Sequence, residues 1–442
     1  MKTVYIETLG CSKNLVDSEQ MLGLLDDTFE LSETIEDATI VIVNTCSFIH
    51  DAREESIKAI LDIASLKTLG KLKYLIVTGC LSQRYPEALI DEIPEVDAVV
   101  GTGNFFKISE VIDQLIKGTS QKIFLESVDL MIPEDLPRVL TTPGHYAYLK
   151  IAEGCDNFCT YCIIPKLRGK FRSRTIEDVV EEARDLASMG IKELILIAQD
   201  TSRYGIDLYD RPSLDKLLDA LNSIEGIQWI RVHYAYPDIL DDALLDGFFR
   251  NDKVISYFDI PIQHASNRIL KLMNRATSKE DIETLIEKIR KRDPKAVIRT
   301  TVIVGFPGET ESDFEELVSF AKKMKFDRLG AFTYSNEEDT AAYNLPNHVP
   351  QEIMDERRDI LMSMQMVISE EVLYKRLGDV VEAVVEEVAE PSKIYVARSQ
   401  FDSPDVDGVV YIHTDRDLEI GDFVSVKITD AMEYDLIGGL VE

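Results

Sequence analysis

The sequence predicts an α/β protein in three parts: an N-terminal parallel α/β domain, a central partial (β/α)6 barrel and a small C-terminal β-barrel. Three observations carry that prediction. Near the start, three β-branched runs each end in a cysteine and precede a helix-like segment. Six further β-branched runs then alternate with amphipathic stretches, the pattern of strands joined by helical crossovers. Beyond about residue 378 only short strand-like runs remain, divided by Gly and Asp turns, as in a small barrel.

Taken in order, strands are expected near 3–9, 38–45, 73–79 and 97–101, with helices at about 16–26, 51–66 and 82–92. Residues 1–117 thus read as the first domain, and 118–140, with Pro133 and Pro137, as a linker. The second series spans 141–373. Its strands are Tyr146–Ile151, Glu193–Gln199, Trp229–Tyr236, Ser256–Ile262, Val297–Val304 and Arg328–Tyr334. Helices near 175–189, 213–223, 238–250, 278–292 and 310–324 separate them. Six strands suggest an incomplete barrel, whose functional residues belong at the C-terminal strand ends. A long segment at 350–376 carries Met354, Met362, Met364 and Met366, read as packing residues. Residues 374–442 form the last unit, with strands at Val380–Val385, Ile394–Ala397, Gly408–Ile412 and Phe423–Ile428.

The six cysteines fall into two groups. Cys155, Cys159 and Cys162 form a C-x3-C-x2-C run directly after the first strand of the second series. Cys11, Cys46 and Cys80 are far apart in sequence, but each closes a strand-like run. Loops leaving the carboxyl ends of a parallel sheet line one crevice, so these three converge. Zinc is one reading, but structural zinc wants four ligands and neither trio has a fourth. Burial as small hydrophobes is another. Three thiolates also suit a four-iron cluster with one iron left open.

Composition narrows the partners. The chain has 80 acidic against 48 basic residues, a formal net charge of −32, which disfavours a phosphate-gripping surface. The excess is uneven: residues 378–442 hold 16 acids and 4 bases. Such a module suits a basic protein partner, attracted by charge that salt screens. No apolar run of about eighteen residues is present, so no membrane span is expected. Glu7 interrupts the start, which lacks a signal-like segment, and a cytoplasmic location with reduced thiols is expected.

Several motifs carry a family resemblance. Glu153-Gly154-Cys155 through Cys162 resembles the cluster loop of radical S-adenosylmethionine (SAM) enzymes. Asn44-Thr45-Cys46 and Thr78-Gly79-Cys80 resemble the N-terminal domain of methylthiotransferases. Further likenesses are Gln199-Asp200-Thr201, Ile260–Ser266 and Gly305–Thr310, and the terminal barrel is similar to a TRAM module. The likeness covers essentially the whole chain. It is greatest to the branch that methylthiolates the β-carbon of an aspartate of ribosomal protein S-twelve, with relatives acting on a transfer RNA adenosine as the alternative.

The resemblance implies two 4Fe–4S clusters, one on Cys155, Cys159 and Cys162 and one on Cys11, Cys46 and Cys80. It implies that SAM yields a 5′-deoxyadenosyl radical at the first, that the second supplies sulfur, and that another SAM supplies the methyl group. An electron donor such as flavodoxin or ferredoxin follows. Tyr161 is a candidate to lie against the adenine, and Gln199 and Gln263 to meet polar groups of the cofactor. Arg299 is a candidate for the cofactor carboxylate, with a structural ion pair as its alternative. Gly305, with Pro307 and Gly308, suits a tight strand exit beside a ligand. His264 reads either as a proton carrier or as a structural histidine. A protein substrate rather than transfer RNA is expected. A non-catalytic iron–sulfur or zinc protein would release no 5′-deoxyadenosine from SAM.

Overall fold

The structure is a computed structural model that describes residues 2–389 and 394–441. The N-terminal sheet has six parallel strands, β1 (Thr3–Thr8), β2 (Glu30–Leu31), β3 (Ile40–Thr45), β4 (Tyr74–Gly79), β5 (Ala98–Val100) and β6 (Ile123–Phe124), in the order β2-β1-β3-β4-β5-β6. Its two faces bury separate apolar clusters beneath helices such as Ser12–Asp26 and His50–Thr68. Helices cover both faces of an all-parallel sheet because its crossovers place them there. The helix expected at 82–92 divides into Cys80–Arg84 and Pro86–Glu92. Pro86 is the reason: it pushes Tyr85 out of helical geometry, to φ −134° and ψ 52°.

The central unit opens with β7 (Tyr146–Lys150), followed by the antiparallel pair β8 (Ala152–Glu153) and β9 (Arg172–Ser173). Five more strands, β10 (Glu193–Ile197), β11 (Trp229–Val232), β12 (Val254–Asp259), β13 (Val297–Val304) and β14 (Arg328–Thr333), pair in parallel in strict chain order beside β7. This is the expected six-stranded, unclosed barrel. Strand β11 stops at Val232 rather than Tyr236, because Tyr234 takes a left-handed φ of 57°. A bulky residue there breaks strand geometry. Crossover helices such as Ile176–Ser188, Lys279–Arg292 and Glu311–Met324 pack outside, forming the largest core. Two of them start with complete capping boxes, Ser278 with Asp281 and Thr310 with Asp313. On the Met-rich helix Gln351–Leu373, Met354 is buried and Met362 and Met364 pack on the core, while Met366 is exposed.

The last unit is a closed five-stranded barrel of β15 (Val380–Ala389), β16 (Ile394–Ser399), β17 (Val410–His413), β18 (Phe423–Ala431) and β19 (Leu436–Leu440). Among the described residues no helix is long and apolar enough to cross a membrane.

The concave face of the central sheet is filled by the other two units. Leu15 and Val16 of the N-terminal helix pack on Tyr146, Tyr148, Ile195 and Ile197. The barrel covers the opposite end, with Val384, Phe401 and Phe423 against Trp229, Tyr257 and Val297. A buried charge network joins the two units. Glu193 accepts from Arg231 at 2.8 Å and from Arg398 of the barrel at 2.6 Å. Arg328 donates to Asp402, and Tyr257 donates to Asp407.

His233 lies in this seam with Nε2 2.8 Å from Ser403 Oγ. Burial pushes its pKa down from 6.5 to about 3; Asp259 opposes this, and Arg231, Arg299 and Lys13 reinforce it. The folded histidine therefore stays neutral where the unfolded one takes a proton. Stability is complete above pH 6.5 and falls, at about 1.4 kcal/mol per pH unit, as the pH drops from 6.5 towards 3. Urea midpoints at pH 7 and pH 5 will show a steeper loss for the parent than for His233→Gln. Equal losses would contradict a neutral buried histidine.

A candidate two-centre cysteine site

Cys11 is the N-cap of the Ser12–Asp26 helix after β1, Cys46 follows β3, and Cys80 opens a helix after β4. These strands are neighbours in the sheet, in the order β1-β3-β4, so the three loops leave one edge side by side. Hydrogen bonds pin the loops together. Asn14 Nδ2 donates to the carbonyls of Leu9 and Thr45 at 2.9 and 3.0 Å, and Asn44 Nδ2 donates to the Asn14 carbonyl at 2.8 Å. Ser56 Oγ accepts from Cys46 N and donates to its carbonyl. The approach is close: a Cβ on Gly10, at φ +89°, would stand 3.1 Å from Cys46 Sγ.

The second trio sits on the loop after β8. Gly154 opens it at φ +81°, where a Cβ would come within 2.1 Å of the Lys170 carbonyl, so only glycine lets this turn close. Cys155 N donates to the Gly169 carbonyl, and Cys159 Sγ shares a 2.5 Å hydrogen bond with Tyr236 Oη. Asn157 is tied to Asp200 at 2.7 Å, and Asn274 Nδ2 donates to the Phe158 carbonyl at 3.0 Å. The two trios adjoin: Cys80 packs against Ile163 and Leu167, just after Cys162.

Between them lies a buried charged cluster. Arg168 donates to Asp17 at 2.7 Å, to Glu153 at 3.2 Å and to Asn14 at 2.5 Å, while Lys150 pairs with Asp17 and Glu153. Burial alone would raise the Glu153 pKa, but Arg168 and Lys150 outweigh it and hold it at about 2. The thiols respond oppositely. Burial pushes Cys80 and Cys155 up to about 12, and Cys46 and Cys162 upward as well. In the metal-free protein these thiols keep their protons, which a metal must displace.

The remaining candidates have distinct settings. Tyr161 packs beside Met273, Phe306 and Tyr334. Gln199 Nε2 donates to Glu153 at 2.6 Å, while its Oε1 is buried without a partner. Gln263 takes a left-handed φ of 69°, bridges to Val302, and likewise leaves its Oε1 buried and unpartnered. Arg299 pairs with Asp259 at 3.0 Å and faces Asp407 of the barrel at 3.6 Å. Gly305, at φ +77°, lies against Met354, whose Cγ a Cβ would meet at 2.1 Å. Its amide donates to Glu309, whose carboxylate also stands 3.3 Å from His264 Nε2.

Sequence reasoning singled out neither Arg168, Lys150 and Asp17 nor Lys13 and Tyr236. Their partners lie on a different unit or a distant loop, which local sequence pattern does not report. A cavity of about 530 Å³ beneath the 131–138 segment has no cysteine in its lining.

The donor set tests what the trios can hold. Among the described residues no three His, Cys, Asp or Glu side chains are close enough to grip one metal ion. A mononuclear zinc cage is therefore not preformed. Thiolates that each bind a different corner of a cubic cluster stand further apart, and three per site suit a cluster with one open iron.

A parallel six-stranded sheet with C-x3-C-x2-C after its first strand defines the class, and the Radical SAM superfamily model matches residues 149–321. Uncharacterized protein family UPF0004 matches residues 3–101 and the TRAM domain residues 377–441. The protein is a radical SAM methylthiotransferase. The chain is 52% identical over 442 residues to the ribosomal protein uS12 methylthiotransferase RimO of Clostridioides difficile, covering 100% of this chain and 99% of that one. The RimO of Desulforamulus reducens is 49% identical, with both chains covered completely. The chain belongs to the RimO family. Among solved structures, the radical SAM methyltransferase TsrM from Kitasatospora setae shares the fold, with TM-score 0.54 and 15% identity over 75% of this chain and 73% of that one.

Proposed function

We propose that this enzyme inserts a methylthio group at the β-carbon of an aspartate of ribosomal protein uS12, using two 4Fe–4S clusters. One observation carries the reading: two cysteine trios, each closing strand ends, meet across a shared buried cluster of charge. Full-length identity of about half to enzymes named for uS12 methylthiolation supports the substrate. Cys155, Cys159 and Cys162 hold the cluster that binds SAM; Cys11, Cys46 and Cys80 hold the second. Bound there, the clusters and SAM supply radical hydrogen abstraction, sulfur and the methyl group.

The chain's own residues orient these groups. Gly154 lets the loop turn, Tyr236 fixes Cys159, and Arg168 and Lys150 anchor Glu153 at the loop's root. The unpartnered Oε1 of Gln263 would accept from polar groups of SAM, and Tyr161, packed beside Phe306 and Tyr334, would border the adenine. Gln199 steadies Glu153, Gly305 seats Met354, and Arg299 is held by Asp259, where it would meet the cofactor only by leaving that ion pair. An electron donor such as flavodoxin or ferredoxin supplies the reductant, in the cytoplasm. Outward acids of the barrel, including Glu387, Asp405 and Glu433, meet the basic substrate.

Anaerobic reconstitution followed by assay on purified uS12 and on transfer RNA tests the proposal. Methylthiolated uS12, with 5′-deoxyadenosine released, is the expected result. Modified transfer RNA with unmodified uS12 would refute it.

A further inference from the structure

Lys13 is the second residue of the Ser12–Asp26 helix, two positions after Cys11, and only 8% of it is exposed. Its ammonium stands 3.8 Å from the centroid of the Tyr234 ring, at the end of β11. Among the described residues it has no ion pair and no hydrogen bond. Two further facts make this position costly. The helix has no acid in its first turn, and a cation there opposes the helix dipole. The nearby carboxylates are already engaged: Asp17 and Glu153 each pair with both Lys150 and Arg168. Those two carboxylates are thus taken up by two other cations, and the Lys13 ammonium, largely but not wholly withdrawn from water, is left with an aromatic face and no anion.

The direction of the side chain narrows what the missing anion is. Arg168, not Lys13, makes the hydrogen bonds to Asp17, Glu153 and Asn14 beside the first trio. Lys13 instead reaches over Tyr234, whose left-handed φ of 57° marks a held, strained strand end. It therefore projects from the first cysteine trio towards Tyr234 at the C-terminal end of β11, two residues before Tyr236, which holds Cys159 of the second trio. An aspartate whose β-carbon sits between the trios places its carboxylate one bond from that carbon.

We infer that Lys13 binds the side-chain carboxylate of the substrate aspartate, fixing its β-carbon between the two centres and selecting aspartate over asparagine. The inference rests on the protein-substrate reading above. The same chemistry is available from the methionine carboxylate of SAM, and the test separates the two.

Reconstituted parent, Lys13→Met and Lys13→Arg enzymes are titrated with uS12, with uS12 whose target aspartate is asparagine, and with SAM. The parent is expected to bind the aspartate form about 30-fold or more tightly than the asparagine form, the scale of a buried charge pair. Lys13→Met binds both forms alike and Lys13→Arg recovers part of the preference. Iron content and SAM affinity stay at parent levels in both variants. An unchanged aspartate preference in Lys13→Met would overturn the inference. So would a loss of SAM affinity, which assigns the lysine to the cofactor, or of iron, which assigns it to a cluster. A parent enzyme that binds neither form of uS12 would overturn the protein-substrate reading itself.

Discussion

Cys46→Ala abolishes methylthio transfer but leaves 5′-deoxyadenosine formation, whereas Cys155→Ala abolishes both. The two outcomes differ because the trios stand on separate sheets, Cys46 at the end of β3 and Cys155 after β8. Each trio offers three thiols and no fourth protein ligand, so losing one leaves two. Removing even an outer partner of a metal ligand costs 10–100-fold, so loss of the ligand itself should exceed about a hundredfold. Iron should fall from about eight to about four per chain in either variant, one four-iron cluster being lost. Iron assay and chromatography of 5′-deoxyadenosine check both. Deoxyadenosine lost in Cys46→Ala with iron near four would contradict the division of labour.

Glu193→Gln destabilises the folded chain by about 3–5 kcal/mol, the usual cost of breaking a buried ion pair. Glu193 is fully buried at the start of β10, between Arg231 on β11 and Arg398 on β16. Burial opposes its charge, but Arg398 and Arg231 outweigh that and hold its pKa below the ordinary glutamate value. The amide would leave the buried Arg231 guanidinium without a carboxylate and Arg398 with Glu386 alone. The triple change Glu193→Leu, Arg231→Met and Arg398→Met should cost far less, because well-packed apolar groups replace buried charge with little penalty. Urea unfolding of the metal-free protein measures both. A loss below about 1 kcal/mol for Glu193→Gln would show that the carboxylate does not unite these units.

The same seam shows where charge arithmetic along the chain runs out. The acid-rich last unit reads from sequence as a single surface for a basic partner. In the structure Glu382 accepts from Trp229, Glu386 meets His145 and Arg398, and Asp402 and Asp407 face arginines of the central unit. Part of the acidity therefore joins domains, and only the outward remainder is available to a substrate. Composition carries no direction, so it cannot separate these roles.

Strands with continuous apolar, β-branched runs were legible, because burial on both faces leaves a strong pattern. Strand β19 was not: Gly438 and Gly439 interrupt its apolar run, yet they pair with β17 and β18 and close the barrel. The six cysteines were legible because each trio follows strand ends. Arg168, Lys150 and Asp17 were not, since their partners are up to 154 positions away in sequence. The setting of Arg299 also depends on a distant unit, for Asp407 belongs to the barrel. Local pattern reports which face of an element is apolar. It does not report which polar residues a second domain will bury.

The most direct measurement is mass spectrometry of uS12 and of transfer RNA from cells with and without this gene. The account predicts that uS12 loses the increment of one methylthio group on one aspartate when the gene is deleted, while methylthiolated adenosine is unchanged. Loss of the increment from transfer RNA alone would contradict it.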